Sequence, residues 1–305
     1  MDGLCAPVSP GENPAAPPGW LSRRSWFVSL AGLAAVATGW TPVTLAQQAD
    51  TSMASKDEAE QAIPFDQLKP ELRAKILAIV DRPTIYRRLP VQQTQCDGEL
   101  HVFLVRYPEV VVNIWRLMGI TTMEARRTAK YTIEGDDGAG TISRVDLVYG
   151  KPDTHLFLCE GSYEGPLFRR KLTGRSVLLL RSQYGRDRQG NPLVSDQLDM
   201  FLQVDNVGAD LIARTMQSSV GKTIDVNFAE SLKFLQRISD SAERNGPGMQ
   251  NMATKLEECT PEVRTRFAEL CADTHERAAE RVAAAMGPVK VSPDGRIAQP
   301  SGIRR

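Results

Sequence analysis

The feature that most constrains the fold is a series of short segments between residues 130 and 204 in which apolar and polar side chains alternate. In one segment, Val145, Leu147 and Tyr149 occupy every second position. Polar or glycine-containing turns separate the segments, as at 136–140 and 185–191. Because successive side chains of a strand point to opposite faces, the pattern predicts an antiparallel sheet with one buried face.

Helical periodicity surrounds the predicted sheet. Apolar residues recur three and four positions apart in five segments, which we predict to be helices: 64–81, 109–118, 225–243, 249–258 and 261–286. The third segment is amphipathic, with an apolar stripe of Phe228, Leu232, Leu235 and Ile238. A continuous apolar run at 101–105 predicts one more strand ahead of the sheet.

These patterns divide the chain into six segments. We expect a signal peptide at 1–46, a polar linker at 47–63, an N-terminal helical segment at 64–98, a sheet-and-helix domain at 99–245, a C-terminal helical pair at 246–286 and a disordered tail at 287–305. The tail contains Pro, Gly and Arg without periodicity, which is typical of disorder. The predicted fold class is α+β, with helices flanking the sheet.

The order of elements resembles that of the START-like, or helix-grip, superfamily (the SRPBCC type). One strand, a helix, about six antiparallel strands and a long amphipathic helix follow one another between 99 and 245. A local likeness adds to this order, because the turn at 205–208 and a strand at 211–214 lead into the long helix. The resemblance implies that the antiparallel sheet curls around the long C-terminal helix and leaves an apolar cavity between them.

Such a cavity implies that a hydrophobic small molecule or a lipid is the partner. The side chains that we expect to face it are the inward ones of the strands and the helix: Tyr131, Ile133, Leu147, Tyr149, Phe157, Met200, Leu232 and Leu235. Any solid core has apolar residues at these spacings, so three alternatives stay open. They are a binding protein, an enzyme of the same fold such as a cyclase or hydrolase, and a protein without a ligand. A pocket smaller than roughly 300 Å³ would favour the last.

The N-terminal sequence predicts export. Arg23 and Arg24 precede two bulky apolar residues and an uncharged run from 28 to 49, an arrangement that resembles a twin-arginine signal peptide. Small residues at Thr44 and Ala46 place the cleavage site after Ala46. The alternative is an uncleaved segment that anchors the protein in the membrane and leaves the rest of the chain outside. We therefore expect a periplasmic or extracellular protein.

The net charge and the sequence motifs limit which classes of partner and cofactor we expect. The chain has 37 basic and 37 acidic residues, so it lacks the excess of positive charge that nucleic-acid binding requires, and we expect no nucleic-acid partner. Gly221, Lys222 and Thr223 end like a phosphate-binding loop, but the earlier glycine of that loop is absent. We expect no cofactor. The oligomeric state does not follow from these patterns.

The histidines do not predict catalytic residues or a metal site. Asp153 and His155 lie two residues apart on a predicted strand and could touch, but no serine stands beside them, so no catalytic residue is predicted. Cys271 and His275 lie four residues apart on one helix face. Two ligands are fewer than a zinc site requires, so no metal is predicted.

Four cysteines follow the predicted cleavage site, and the oxidising compartment that an exported protein reaches allows cysteines to form disulfides. Cys259 and Cys271 are about 16 Å apart along a helix, which is too far for a disulfide. Cys96 and Cys159 form the one pair left within a domain. Burial of both as small apolar residues is the alternative.

Overall fold

The computed structural model describes residues 49–165, 171–205 and 221–286. These residues form an α+β protein with a large antiparallel sheet and several helices, which confirms the predicted class. The predicted signal peptide, the strand at 211–214 and the tail at 287–305 lie outside the described residues.

Helices and strands follow one another in three blocks. The first block has the helices α1 (Met53–Ala62) and α2 (Pro70–Val80), with a short 3-10 turn at Phe65–Gln67 between them, and the strands β1 (Ile85–Arg88) and β2 (Gln92–Thr94). The second has the helices α3 (Gly98–Arg106) and α4 (Pro108–Leu117) and the strands β3 (Glu124–Ala129), β4 (Thr132–Asp136), β5 (Thr141–Gly150), β6 (Thr154–Tyr163), β7 (Leu172–Arg186) and β8 (Pro192–Val204). The third has the helices α5 (Gly221–Arg244), α6 (Gly246–Thr254) and α7 (Pro261–Met286).

The strands form one sheet in the order β1-β8-β7-β6-β5-β4-β3, and β2 also pairs with β8. Every pair is antiparallel. From β3 to β8 each strand pairs with the next one along the chain, so this part is a meander joined by hairpins, including the two predicted at 136–140 and 185–191. The strand β1 returns to the far edge and pairs with β8.

Both faces of the central strands are buried, which corrects the prediction of a single buried face. On one face, apolar side chains of β6, β7 and β8 pack with Ala59 of α1 and with Ile76 and Ile79 of α2. On the other face, apolar side chains of β5 and β6 share a cluster with α3, α4, α5 and α7. The continuous apolar runs at 156–159 and 177–180 are typical of strands that are buried on both faces.

The predicted strand at 101–105 is wrong, because these residues belong to the helix α3. The Asp97 side chain caps this helix by accepting hydrogen bonds from the backbone N–H groups of Glu99 and Leu100, both at 3.1 Å. Leu100, Phe103 and Leu104 recur at helical spacing and are buried. A five-residue apolar run fits a buried helix as well as a strand, and the capping aspartate is what distinguishes them.

The predicted linker at 47–63 is also wrong, since it contains α1. This helix is polar but is held against the sheet by Asp199, a fully buried carboxylate of β8. Arg88 donates to the Asp199 carboxylate through Nε at 2.7 Å and to the backbone carbonyl of Ser55 in α1 through Nη2 at 3.2 Å. The Tyr86 hydroxyl lies 2.7 Å from the same carboxylate and 2.8 Å from the same carbonyl, and its one proton is donated to one of these acceptors at a time. A polar network therefore attaches a helix that hydrophobic periodicity does not reveal.

The other predicted helices are confirmed with shifted ends. The helix α5 runs from Gly221 rather than 225, and α6 begins at Gly246 with the Asn245 side chain as its cap. The helices α6 and α7 pack into the same apolar cluster as α3 and α4, through Met249, Phe267 and Leu270. None of the described helices is both apolar enough and long enough to cross a bilayer.

Candidate functional site

An apolar cavity of about 150 Å³ lies between the sheet and α5. Its floor comes from β5 to β8, its roof from α5 and one side from α3. The lining residues are Leu89, Leu104, Val105, Pro108, Val145, Phe157, Leu178, Leu180, Leu198, Met200, Ile224, Asn227, Phe228, Ser231, Leu232 and Leu235.

Strand register and helix period together explain this lining. Phe157 of β6 lies opposite Leu178 of β7, which in turn lies opposite Met200 of β8, so three neighbouring strands present one row of apolar side chains. In α5 each lining residue has another one three or four positions away, from Ile224 to Leu235, which keeps them on the helix face turned to the sheet.

Four of the eight side chains predicted to face a cavity line this one: Phe157, Met200, Leu232 and Leu235. Ile133 lies in the apolar cluster beside it, and Leu147 is partly buried next to Phe157 but does not line the cavity. Tyr131 lies in the turn between β3 and β4, where 54% of its surface is exposed.

Tyr149 lies on the opposite face of the sheet because β5 contains a bulge. Leu147 pairs with Phe157, but Tyr149 pairs with Leu156, so Val148 is the extra residue that shifts the register. Tyr149 consequently packs against the cluster formed with α1 and α2. The predicted alternation assumed an unbroken strand. Leu178, Leu180 and Leu198 were missed as lining residues, although their alternation within two predicted strands was the signal that could have found them.

The cavity is small and almost without polar groups. Its volume is below roughly 300 Å³, the size under which the alternative of a protein without a ligand is favoured over a binder of ordinary small molecules. The volume is close to that of engineered apolar cavities that hold benzene or xenon, so the binding alternative is restricted to groups of about that size. The Ser231 hydroxyl donates to the backbone carbonyl of Asn227 at 2.6 Å, so it is engaged within the helix. The lining therefore favours a compact apolar group and offers no converging acid, base and nucleophile.

A polar cluster lies at one end of the same sheet face. His101 of α3 is fully buried, and its two ring nitrogens lie 3.1 Å from the Asp196 carboxylate and 3.0 Å from the Tyr184 hydroxyl. Ser182 donates to the second oxygen of Asp196 at 2.6 Å, and Tyr184 donates to the Pro152 carbonyl at 2.9 Å. A chain of hydrogen bonds therefore connects a buried carboxylate to a tyrosine at the surface.

His155 belongs to the same region, and its hydrogen-bond partner is Arg106 instead of Asp153, the neighbour that it could have touched. Arg106 Nε donates to His155 Nε2 at 3.0 Å, which requires the neutral ring to carry its proton on Nδ1. Burial, followed by the positive charge of Arg106, lowers the pKa of His155 to about 4. The Nδ1 atom is buried without a hydrogen-bond partner among the described residues.

Of the two alternatives for Cys96 and Cys159, the structure has burial and no disulfide. Cys96, Cys159, Cys259 and Cys271 are buried and unbridged, and burial raises the pKa of the Cys159 and Cys271 thiols to about 12. The His275 ring nitrogen Nδ1 lies 2.7 Å from the Glu243 carbonyl. In the described part of the chain, no three His, Cys, Asp or Glu side chains are grouped so as to hold a metal ion.

A second cavity, an open groove of about 660 Å³, lies between α3 and α7. Three arginines (Arg106, Arg266 and Arg277) and two carboxylates (Asp97 and Glu99) line it, together with apolar and aromatic side chains that include Phe103, Tyr107, Tyr184 and Leu270. None of these residues lines the cavity beneath α5. The helix α3 therefore separates two chemically different sites.

A scan of protein-family models and a search of the curated proteins found no match for the chain. Among solved structures, the chain is similar to the crystal structure of a conserved protein from Geobacillus kaustophilus. The sequence identity is 12%, the TM-score is 0.38, and the match covers 50% of this chain and 93% of the other. A similarity of this size carries no argument about function.

Proposed function

We propose that this protein binds a small apolar molecule, or the apolar end of a larger one, in the cavity between the sheet and α5. The observation that carries the proposal is the lining, in which apolar side chains from four strands and three helices surround a space without a competing polar network. The volume of about 150 Å³ accepts a group of roughly the size of benzene. A whole lipid does not fit, so a lipid ligand would leave most of its length outside.

The helix-grip arrangement is part of the proposal. Two short strands, two helices, six antiparallel strands and a long helix follow in the order β1, β2, α3, α4, β3 to β8 and α5. This is close to the order that suggested the START-like superfamily, with the first strand at Ile85–Arg88 instead of 101–105. We propose that α5 is the long helix around which the sheet curls, because its lining residues face the strands across the cavity.

Native mass spectrometry of the protein purified from its own exported fraction tests the proposal. We expect an additional mass that is lost on denaturation. A Ser231→Leu variant adds apolar atoms to the cavity and should lower the bound fraction at least about tenfold, because the ligand then meets an overpacked site.

The matched control is Val226→Leu, which enlarges a side chain on the same helix where 54% of its surface is exposed. This variant should keep the additional mass. A bare protein mass, or an equal loss of ligand in both variants, would contradict binding in this cavity and favour a packed core without a ligand.

We also propose that the chain is exported by the twin-arginine route and that residues 1–46 are removed. The paired arginines, the apolar run and the small residues before 47 support this proposal. The mass of the purified protein should correspond to a chain that begins at Gln47. A full-length mass in the membrane fraction would instead support an N-terminal anchor that faces outside.

A further inference from the structure

We propose that the groove between α3 and α7 binds an organic oxyanion, a carboxylate or phosphate on a compact aromatic or aliphatic body, with Arg106 as its charged partner. The groove has about 660 Å³, which lies within the usual range of small-molecule sites. It shares no lining residue with the cavity beneath α5, so this inference is independent of the proposed function.

Among the arginines that line the groove, Arg106 differs from the other two because no described carboxylate pairs with it. Arg277 donates to Asp97 through Nε and Nη2, both at 2.9 Å, and to Glu99 through Nη1 at 3.3 Å, so its charge is fully engaged by two carboxylates. Arg266 pairs with Glu269 at 3.0 Å. Of the described carboxylates, none lies within the 4.0 Å ion-pair limit of Arg106.

Arg106 is positioned by neutral groups. Its Nε donates to His155 at 3.0 Å and its Nη2 donates to the Gly150 carbonyl at 3.4 Å. A guanidinium has five N–H donors, so donors remain after these two bonds. Neither acceptor carries a negative charge, and the planar fork of donors that remains on Arg106 matches the geometry of a carboxylate or phosphate.

The surrounding side chains determine the rest of the ligand. Tyr184 lies on the groove wall with its hydroxyl fixed between His101 and the Pro152 carbonyl, so its ring offers a rigid surface. Phe103 and Tyr107 are stacked on α3 with ring centroids 4.7 Å apart. An anionic group at Arg106 therefore comes with aromatic contacts beside it, which favours an aromatic or aliphatic acid over inorganic phosphate.

Fluorine NMR titrations test the inference with two anionic probes, 4-fluorobenzoate and 4-fluorophenyl phosphate, and the neutral 4-fluorobenzamide. We expect at least one anion to bind in the millimolar range or tighter and the amide to bind at least about tenfold more weakly. Whichever anion binds more tightly distinguishes a carboxylate ligand from a phosphate ligand. Failure of both anions to bind at about 10 mM, or equal binding of the amide, overturns the proposal.

Variants locate the site. Arg106→Gln should weaken binding of the anion at least about tenfold. The control is Arg281→Gln in α7, which should change binding less than about threefold because Arg281 does not line the groove and pairs with Glu243 at 2.7 Å. If Arg106→Gln does not fold, the salt dependence of the native protein decides. Anion binding that does not weaken between low and high salt contradicts a charge-based site.

Discussion

The buried side chain of His155 makes the free energy of unfolding depend on pH. The ring is fully buried, and its Nε2 accepts a hydrogen bond from the Arg106 guanidinium. Burial and the neighbouring positive charge both disfavour the protonated ring. Burial and Arg106 hold the pKa of His155 at about 4, below the ordinary value of 6.5. Between pH 4 and 6.5, the His155 imidazole is therefore mostly protonated in the unfolded chain and mostly neutral in the folded chain.

We therefore predict that the free energy of unfolding falls as the pH is lowered from about 6.5 to 4, and that His155 accounts for up to about 3 kcal/mol of this fall. The sign follows from the depressed pKa, since the stabilisation is complete above the unfolded value and is lost toward the folded one. Urea titrations at several pH values on the native protein and on His155→Gln measure it. Parallel pH profiles for the two proteins would show that His155 is not responsible.

At the scale of elements, the hairpin between β4 and β5 depends on Gly140. This residue has a φ of +106°, and a Cβ atom placed there would lie 2.2 Å from the Glu164 carbonyl oxygen. A side chain thus meets both a disfavoured backbone conformation and a backbone atom that cannot move aside.

Gly140→Ala should lower the free energy of unfolding by about 2 kcal/mol or more. Gly119→Ala is the matched control, because Gly119 also has a positive φ, +66°, but has no atom within 4 Å of the added Cβ. The control should lose only about 1 kcal/mol. Urea denaturation measures the free energy of unfolding of both variants. An equal decrease in both would mean that the close approach to the Glu164 carbonyl oxygen does not contribute to the loss of stability.

The elements also show how far the sequence predicts this fold. Long periodic segments such as α5 and α7, and strands with regular alternation such as β8, follow from hydrophobic pattern alone. The apolar run in α3 does not, because its length suits a strand or a buried helix. The bulge at Val148 and the polar attachment of α1 arise from tertiary contacts, which a local pattern does not contain.

For the whole molecule, the main departure from expectation is that the sheet is covered on both faces. The helices α1 and α2 cover Val177, Leu179 and Phe201, all of which are fully buried. The side chain of each such residue contributes about 1.5–3 kcal/mol by burial. Losing this layer removes an amount comparable to the whole stability of a typical domain, about 5–15 kcal/mol.

A chain that begins at Thr84 should therefore fail to unfold cooperatively and should expose apolar surface. Circular dichroism during urea titration and binding of a hydrophobic dye measure these two properties. A chain that begins at Gln47 keeps both helices and serves as the control, with a cooperative transition and little dye binding. An unchanged transition in the shorter chain would mean that α1 and α2 are dispensable.

The candidate site follows the same division between local pattern and tertiary structure. Phe157, Met200, Leu232 and Leu235 could be found because strand alternation and helix period each point them inward. The cluster around His101 and the groove at Arg106 could not, since they join α3 to β6, β7, β8 and α7, which are far apart in the sequence.

The most direct test of the central claim is an NMR titration of the methyl-labelled protein with toluene, a ligand close in size to the cavity. We predict shifts of the methyl signals of Leu178, Leu198 and Leu232, which line the cavity, and unchanged signals for Leu156 and Leu179 on the opposite face of the sheet. Absence of any shift at saturating toluene, or equal shifts on both faces, would contradict a binding cavity beneath α5.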